Sequence, residues 1–285
     1  MIFKNYVNAS EGVLIWKDWY RIPTFKCLKE RYSKEFIIVS ANYYDSGKVN
    51  LNAELNIINA RTAGIENIDI MFSPCIQPSS EYDLCGDGSA SITSVLDYFD
   101  RINVKFGRVW IYITLDPTMG KGWDKDNKAL NIDRDRAGPG QRPGFFLYPE
   151  SKSRHFLPFL SFSWVWVFPG LQAQDPVQVK NQTPGSRNSS SMVSALKERN
   201  QLFGFITRKN YWQEITGNTK EYNNIPLLYF HMDGKKNFDD YYEYGYPFGG
   251  WKKPTMKGYE DEDICGVTVT DIYSDKKLKK SSPFV

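Results

Sequence analysis

Three short apolar runs restrict the possible folds of this chain more than any other feature: Phe36 to Ser40 (F-I-I-V-S), Ile68 to Phe72 (I-D-I-M-F) and Val109 to Leu115 (V-W-I-Y-I-T-L). Each is too short for a typical helix and rich in β-branched or aromatic residues, the pattern of a strand buried on both faces. Helical spacings separate them. Leu55, Ile57 and Ile58 lie in one such stretch, which Ala63-Gly64 stops in the manner of a C-terminal glycine. Ile92, Val95, Leu96 and Phe99 form a second, at i, i+3, i+4 and i+7. Upstream, Val13 to Trp16 reads as a first strand, and Phe25 and Leu28 share a helical face. Strands alternating with helices imply right-handed βαβ units around a parallel sheet.

The second half keeps the strands and thins the helices. Met192 to Arg199 reads as a helix, Leu202 to Thr207 as a strand, and Trp212 to Thr216 as the start of a short helix. Pro226 to His231, Pro254 to Tyr259 and Val267 to Tyr273 follow as strands with no long helix between them. The expected fold is therefore α/β, a barrel that begins with alternating strands and helices and finishes mostly with strands. A chain of 285 residues can be one large domain of this kind or two small ones. One stretch, at about 133–187, stands out as an atypical insertion. That insertion opens with a polar, turn-rich stretch and continues as an apolar run, Phe156 to Phe168. The run is shorter than the ~20 residues that span a bilayer and contains Pro158, so no membrane anchor is expected.

Composition excludes further classes. A net charge of +3, with one basic cluster at Lys276 to Lys280, is too mild for a nucleic-acid protein. His155 and His231 are too few and too far apart for a metal cluster, and no C-x-x-C pair is present. Cys27, Cys75, Cys85 and Cys265 permit three full pairings. The first twenty residues contain no continuous apolar core followed by small residues, so they do not read as a signal peptide.

Seven segments in order carry a family resemblance. They are Pro23 to Lys29 (P-T-F-K-C-L-K), Asn59 to Ile65 (N-A-R-T-A-G-I), Ile68 to Cys75, Gly204 to Thr207 with Tyr211 to Gly217, Leu227 to Asp233 (L-L-Y-F-H-M-D), Phe248 to Pro254 (F-G-G-W-K-K-P) and Ile264 to Gly266. Covering residues 13–131 and 188–273 between them, they resemble a lysozyme of the glycoside hydrolase family 25 type, in the divergent form found in nematodes and Entamoeba. That likeness implies a single domain folded as a flattened, irregular (β/α) barrel of the TIM-barrel type, with few helices in its second half. The resemblance implies an enzyme directed at bacterial peptidoglycan, serving innate defence or digestion in an extracellular, lysosomal or intestinal compartment, without a cofactor. It also brings Cys75 and Cys85 into a local loop and sets Cys27 against Cys265, closing the barrel ends.

The same resemblance exposes a loss. Active members read roughly W-L-D-I-E on the fourth strand, with two acids at i and i+2 facing the sugar together. Here those positions are Tyr112 and Thr114. The first-strand acid falls near Ile15, with Asp18 the nearest carboxylate, and the last-strand acid falls at Thr270, beside Asp271. Barrel sites lie at the C-terminal ends of the strands, so the cleft is expected around Tyr43, Ser73, Thr114 to Asp116, Thr207, His231 to Asp233 and Thr270. Surviving catalytic candidates are Asp116, His231 and Asp233. Trp110, Tyr229, Trp251 and Tyr43 are the candidates for stacking on sugar. Three readings compete: a lysozyme working through that altered set, a catalytically inactive lectin-like glycan binder, and a non-functional product of a faulty gene.

Overall fold

The structure, a computed structural model, describes residues 9–16, 18–115, 123, 189–243 and 247–277. The chain divides into a barrel unit, residues 1–134 with 184–285, and residues 135–183. The insertion expected at about 133–187 lies outside the described residues, and so do Asp116 and His155.

Eight strands close a barrel in sequence order: β1 (Ser10–Ile15), β2 (Phe36–Ser40), β3 (Asn67–Phe72), β4 (Val109–Tyr112), β5 (Phe203–Thr207), β6 (Leu227–Phe230), β7 (Met256–Ile264) and β8 (Val267–Ser274). Neighbours from β1 to β7 pair in parallel. Only β8 runs the other way, antiparallel to both β7 and β1. The cause is local. Cys265 and Gly266 alone separate β7 from β8, both at positive φ (54° and 74°), which is the two-residue hairpin geometry. A parallel return needs a crossover of a dozen or more residues.

Among the described residues the helices shorten in the second half of the chain: α1 (Ile22–Tyr32), α2 (Leu51–Thr62), α3 (Gly88–Arg101), α4 (Ser189–Glu198), α5 (Lys209–Thr216) and the short α6 (Asp239–Glu243). Pro23 sits in the first turn of α1, where a missing N–H costs nothing. Asn50 and Asp87 cap α2 and α3 by accepting from the backbone N–H of Asn52 and Ala90. No helix among the described residues is long and apolar enough to cross a membrane.

Two cores result. The larger lies between sheet and helices and takes Val13, Ile15, Phe25, Leu28, Ile57, Ile70, Phe99, Phe205, Trp212 and Tyr229 among others. The smaller fills the barrel itself, with Leu14, Phe36, Ile38, Met71, Trp110, Tyr112, Ile206, Leu228, Phe230, Met256 and Ile272. Bulky rings enter that interior because glycines stand opposite them. A Cβ on Gly204 would lie 2.5 Å from the Trp110 ring, and one on Gly258 only 2.2 Å from Phe230.

Two expectations need correction. Helix α2 does not bury Leu55 and Ile58, each 43% exposed; its inner face is Ala53, Asn56, Ile57 and Ala60. Asn56 holds that face in place by accepting from the Tyr20 N–H and donating to the Asp18 carbonyl. Strand β7 also runs on to Ile264, well past Tyr259. Glu260 to Asp263 are all charged, and ladder pairing with β8 keeps them extended.

Candidate functional site

The C-terminal ends of the parallel strands form the barrel mouth, the usual place for chemistry in this architecture. Trp16 follows β1, Tyr43 follows β2, Ser73 follows β3 and Thr114 follows β4. The rim is braced by polar contacts: Asn42 donates to the Ser73 carbonyl at 2.7 Å and accepts from the Ser73 N–H at 2.8 Å. Thr207 donates to the Ile113 carbonyl at 3.0 Å.

Tyr112 closes the centre of this mouth. Its ring, 6% exposed, packs edge to face against Trp16 at 5.8 Å and Phe230 at 6.0 Å, the geometry aromatic quadrupoles favour. Trp123 donates its indole N–H to the Tyr112 carbonyl at 3.0 Å. Thr114, two residues on, is buried. Neither side chain carries a carboxyl group.

The inward positions of β1 are Leu14 and Trp16, both in the interior cluster. Ile15 faces the helices, so an acid there would not reach the mouth. On β8 the parity is equally clear. Thr270 pairs with Leu14 and lies two residues from inward-facing Ile272. Asp271 turns outward, where Lys34 Nζ lies 2.7 Å from it and the Tyr259 hydroxyl donates to it at 3.0 Å.

A second polar assembly occupies the outer face between β6, β7 and α6. Lys257, 0% exposed, places its ammonium 2.8 Å from Asp233 and 2.9 Å from Asp240. His231 Nδ1 is 2.7 Å from Asp240, and the Tyr229 hydroxyl donates to Asp240 at 2.9 Å. Burial pushes the Asp233 carboxyl up, but the hydrogen bonds from Lys257 and the Lys235 backbone N–H, with the Lys257 and His231 charges, outweigh it and hold the group low. Burial, then the bond to Asp240, drives the Tyr229 hydroxyl well above its ordinary range. His231, Asp233 and Asp240 lie close enough to share a cation. Lys257 already supplies that positive charge, so a metal ion would have to displace a fully buried ammonium.

A family model described as lysozyme-like protein 1 matches residues 17–133 and 162–259. The chain belongs to that lysozyme-like family. Among curated relatives, it is 26% identical to "Probable GH family 25 lysozyme 2" of Dictyostelium discoideum, over 92% of this chain and 89% of the relative. It is 23% identical to "Lysozyme-like protein 5" of Caenorhabditis elegans, over 94% of each. The solved bacterial lysozyme from Streptomyces coelicolor shares the fold, with a TM-score of 0.51 at 12% identity over 92% of this chain and 90% of that one. The lysozyme-like protein is thus a divergent relative of the glycoside hydrolase family 25 lysozymes.

Within this lysozyme-like barrel the expected site residues separate. His231 and Asp233 do come together, but with Asp240 and Lys257 on the outer face rather than beside Tyr112. Three of the four stacking candidates are enclosed. Trp110 is fully buried inside the barrel and donates to Asp69 at 2.8 Å, with the Arg108 guanidinium over its ring. Tyr229 is buried under α6, and Trp251 packs against Trp212 at 4.7 Å in the helix layer. Their rings have no open face for a sugar. Tyr43, 36% exposed at the end of β2, is available.

Both expected disulfides form. Cys75 joins Cys85 within a local loop, and Cys27 joins Cys265, tying α1 to the tip of the β7–β8 hairpin. Sequence reasoning passed over Trp16, Phe230, Lys257 and Asp261. Lys257 had a legible signal, a lysine between the strand residues Met256 and Gly258. Asp261 had none, because its face depends on an irregularity in β7.

Proposed function

We propose that this lysozyme-like protein engages the glycan of bacterial peptidoglycan at its barrel mouth and does not cut it by the paired-acid route. The observation that carries this reading is Tyr112, wedged between Trp16 and Phe230 where the family resemblance implies a carboxylate. Glycoside hydrolysis of the usual kind needs one acid to protonate the leaving oxygen and a second carboxylate on the other face of the sugar. Loss of a positioned general acid alone costs ~10²–10⁴-fold in rate. Tyr43 and the Trp16 edge offer aromatic surface for sugar rings, which suits a lectin-like role in defence against bacteria or in their digestion. Two disulfides fit secretion or a lysosomal lumen.

Purified protein mixed with bacterial cell walls tests the reading. Co-sedimentation with peptidoglycan without clearing of turbidity is the expected result. Clearing that Asp116→Asn abolishes would overturn it in favour of an altered catalytic set.

A further inference from the structure

The inner face of β7 carries a carboxylate that the pleat alone would have turned away. Gly258 faces inward, since its missing Cβ would meet Phe230 in the barrel interior. A regular strand would then place Glu260 inward and Asp261 outward. The ladder to β8 slips here: Gly258 pairs with Ile272, but Glu260 pairs with Asp271 and Asp261 with Thr270. Such a bulge resets which side chains face which side and is a recognised way of aiming one at a site. Asp261 thereby shares the inner face with Thr270, whose hydroxyl donates to Asp261 Oδ1 at 2.6 Å. Thr270 is buried, whereas Asp261 is exposed at the open end of the barrel. Thr270 is also where the family resemblance implies the last-strand acid.

We propose that Asp261 is the mouth's acceptor for sugar hydroxyls and selects neutral N-acetylhexosamine units over carboxylate-bearing ones at its subsite. The inference rests on the mouth being the glycan site. One oxygen is anchored by Thr270, which orients the carboxylate, and Oδ2 has no hydrogen-bond partner among the described residues. A carboxylate takes hydroxyl and amide N–H donors strongly and repels a second carboxylate, such as the free lactyl group of a muramic acid that bears no stem peptide. The arrangement binds and discriminates with no chemical step.

Isothermal titration with a neutral N-acetylglucosamine tetramer and with a muramic-acid-containing tetrasaccharide tests this. The wild type is expected to prefer the neutral oligomer. A hydrogen bond to a charged group is worth ~1.5–3 kcal/mol, so Asp261→Asn should weaken neutral binding by roughly 10-fold or more and narrow the preference. Thr270→Val, which keeps the carboxylate and frees it from its anchor, should give a smaller loss. Unchanged affinities in Asp261→Asn, with wild-type circular dichroism, would overturn the role of Asp261 while leaving the mouth as a glycan site. A wild type that binds neither oligomer, with Tyr43→Ala equally silent, would instead overturn the reading of the mouth, and this inference with it.

Discussion

Lys257 and Asp240 meet on the outer face of the barrel, Nζ to Oδ1 2.9 Å, with neither side chain more than 4% exposed. Asp233 completes the contact from the loop after β6, at 2.8 Å. A buried ammonium between two carboxylates holds α6 and that loop against β6 and β7. Breaking a buried pair by removing one partner costs ~3–5 kcal/mol, because the remaining charges are left uncompensated. Lys257→Met should therefore lower unfolding free energy by that amount in urea titration. Adding Asp240→Asn to it should recover part of the loss. A Met variant as stable as the wild type would show that the network contributes nothing net.

Asp233 gives the acid limb a defined sign. Its folded pKa is held below the ordinary carboxylate value, so the folded state binds fewer protons there than the unfolded chain. The stabilisation is present above the unfolded pKa, about 4, and is lost as pH falls through the lower folded value. Thermal midpoints of wild type and Asp233→Asn should differ at pH 6 and converge towards pH 3. The same variant should bind peptidoglycan as the wild type does, since Asp233 faces away from the mouth. Loss of binding would place it in the site after all.

The two disulfides should contribute unequally. Cys27–Cys265 closes a separation of 238 residues and Cys75–Cys85 one of 10. In the chain-entropy account the larger loop stabilises by roughly 3 kcal/mol more. Cys27→Ser/Cys265→Ser should thus lower the denaturation midpoint further than Cys75→Ser/Cys85→Ser. The reverse order would point to native-state packing around Cys75 as the larger contribution.

Gly204 is required by Trp110. A Cβ there would lie 2.5 Å from the indole and 2.9 Å from the Pro226 carbonyl. Gly204→Ala should destabilise by about 1–3 kcal/mol through overpacking. Trp110→Phe in the same chain should relieve part of it, because the contacting ring atoms are gone. Additive losses in a double-mutant cycle would argue against direct contact.

Much of the architecture was legible because a parallel barrel repeats one simple unit. Phe36 to Ser40, Ile68 to Phe72 and the helical spacing through Ile92 and Phe99 identify their elements by period alone. Cys75–Cys85 and Cys27–Cys265 are the pairs that the resemblance implies, and both form. The site was less legible. Tyr112 and Thr114 were identified as the positions that lack acids, and the structure supplies what fills that space: an aromatic wall. Trp110, Tyr229 and Trp251 read as sugar platforms because an aromatic residue gives no sign in sequence of its depth. Each is enclosed, inside the barrel or in the layer outside it.

The amino-acid sequence by itself determined the order and type of the elements, the family, and the absence of acids at Tyr112 and Thr114. Only the tertiary structure decided which side of the sheet each residue serves. The physical reason is that strands of a closed parallel barrel bury both faces, so alternation in polarity no longer distinguishes inside from outside. Leu14 and Ile15 are equally apolar, yet one fills the barrel and the other faces the helices. Where polarity does vary, register still rules. The bulge after Gly258 brings Asp261 to the mouth, whereas Asp271, one residue beyond Thr270, is turned outward to Lys34.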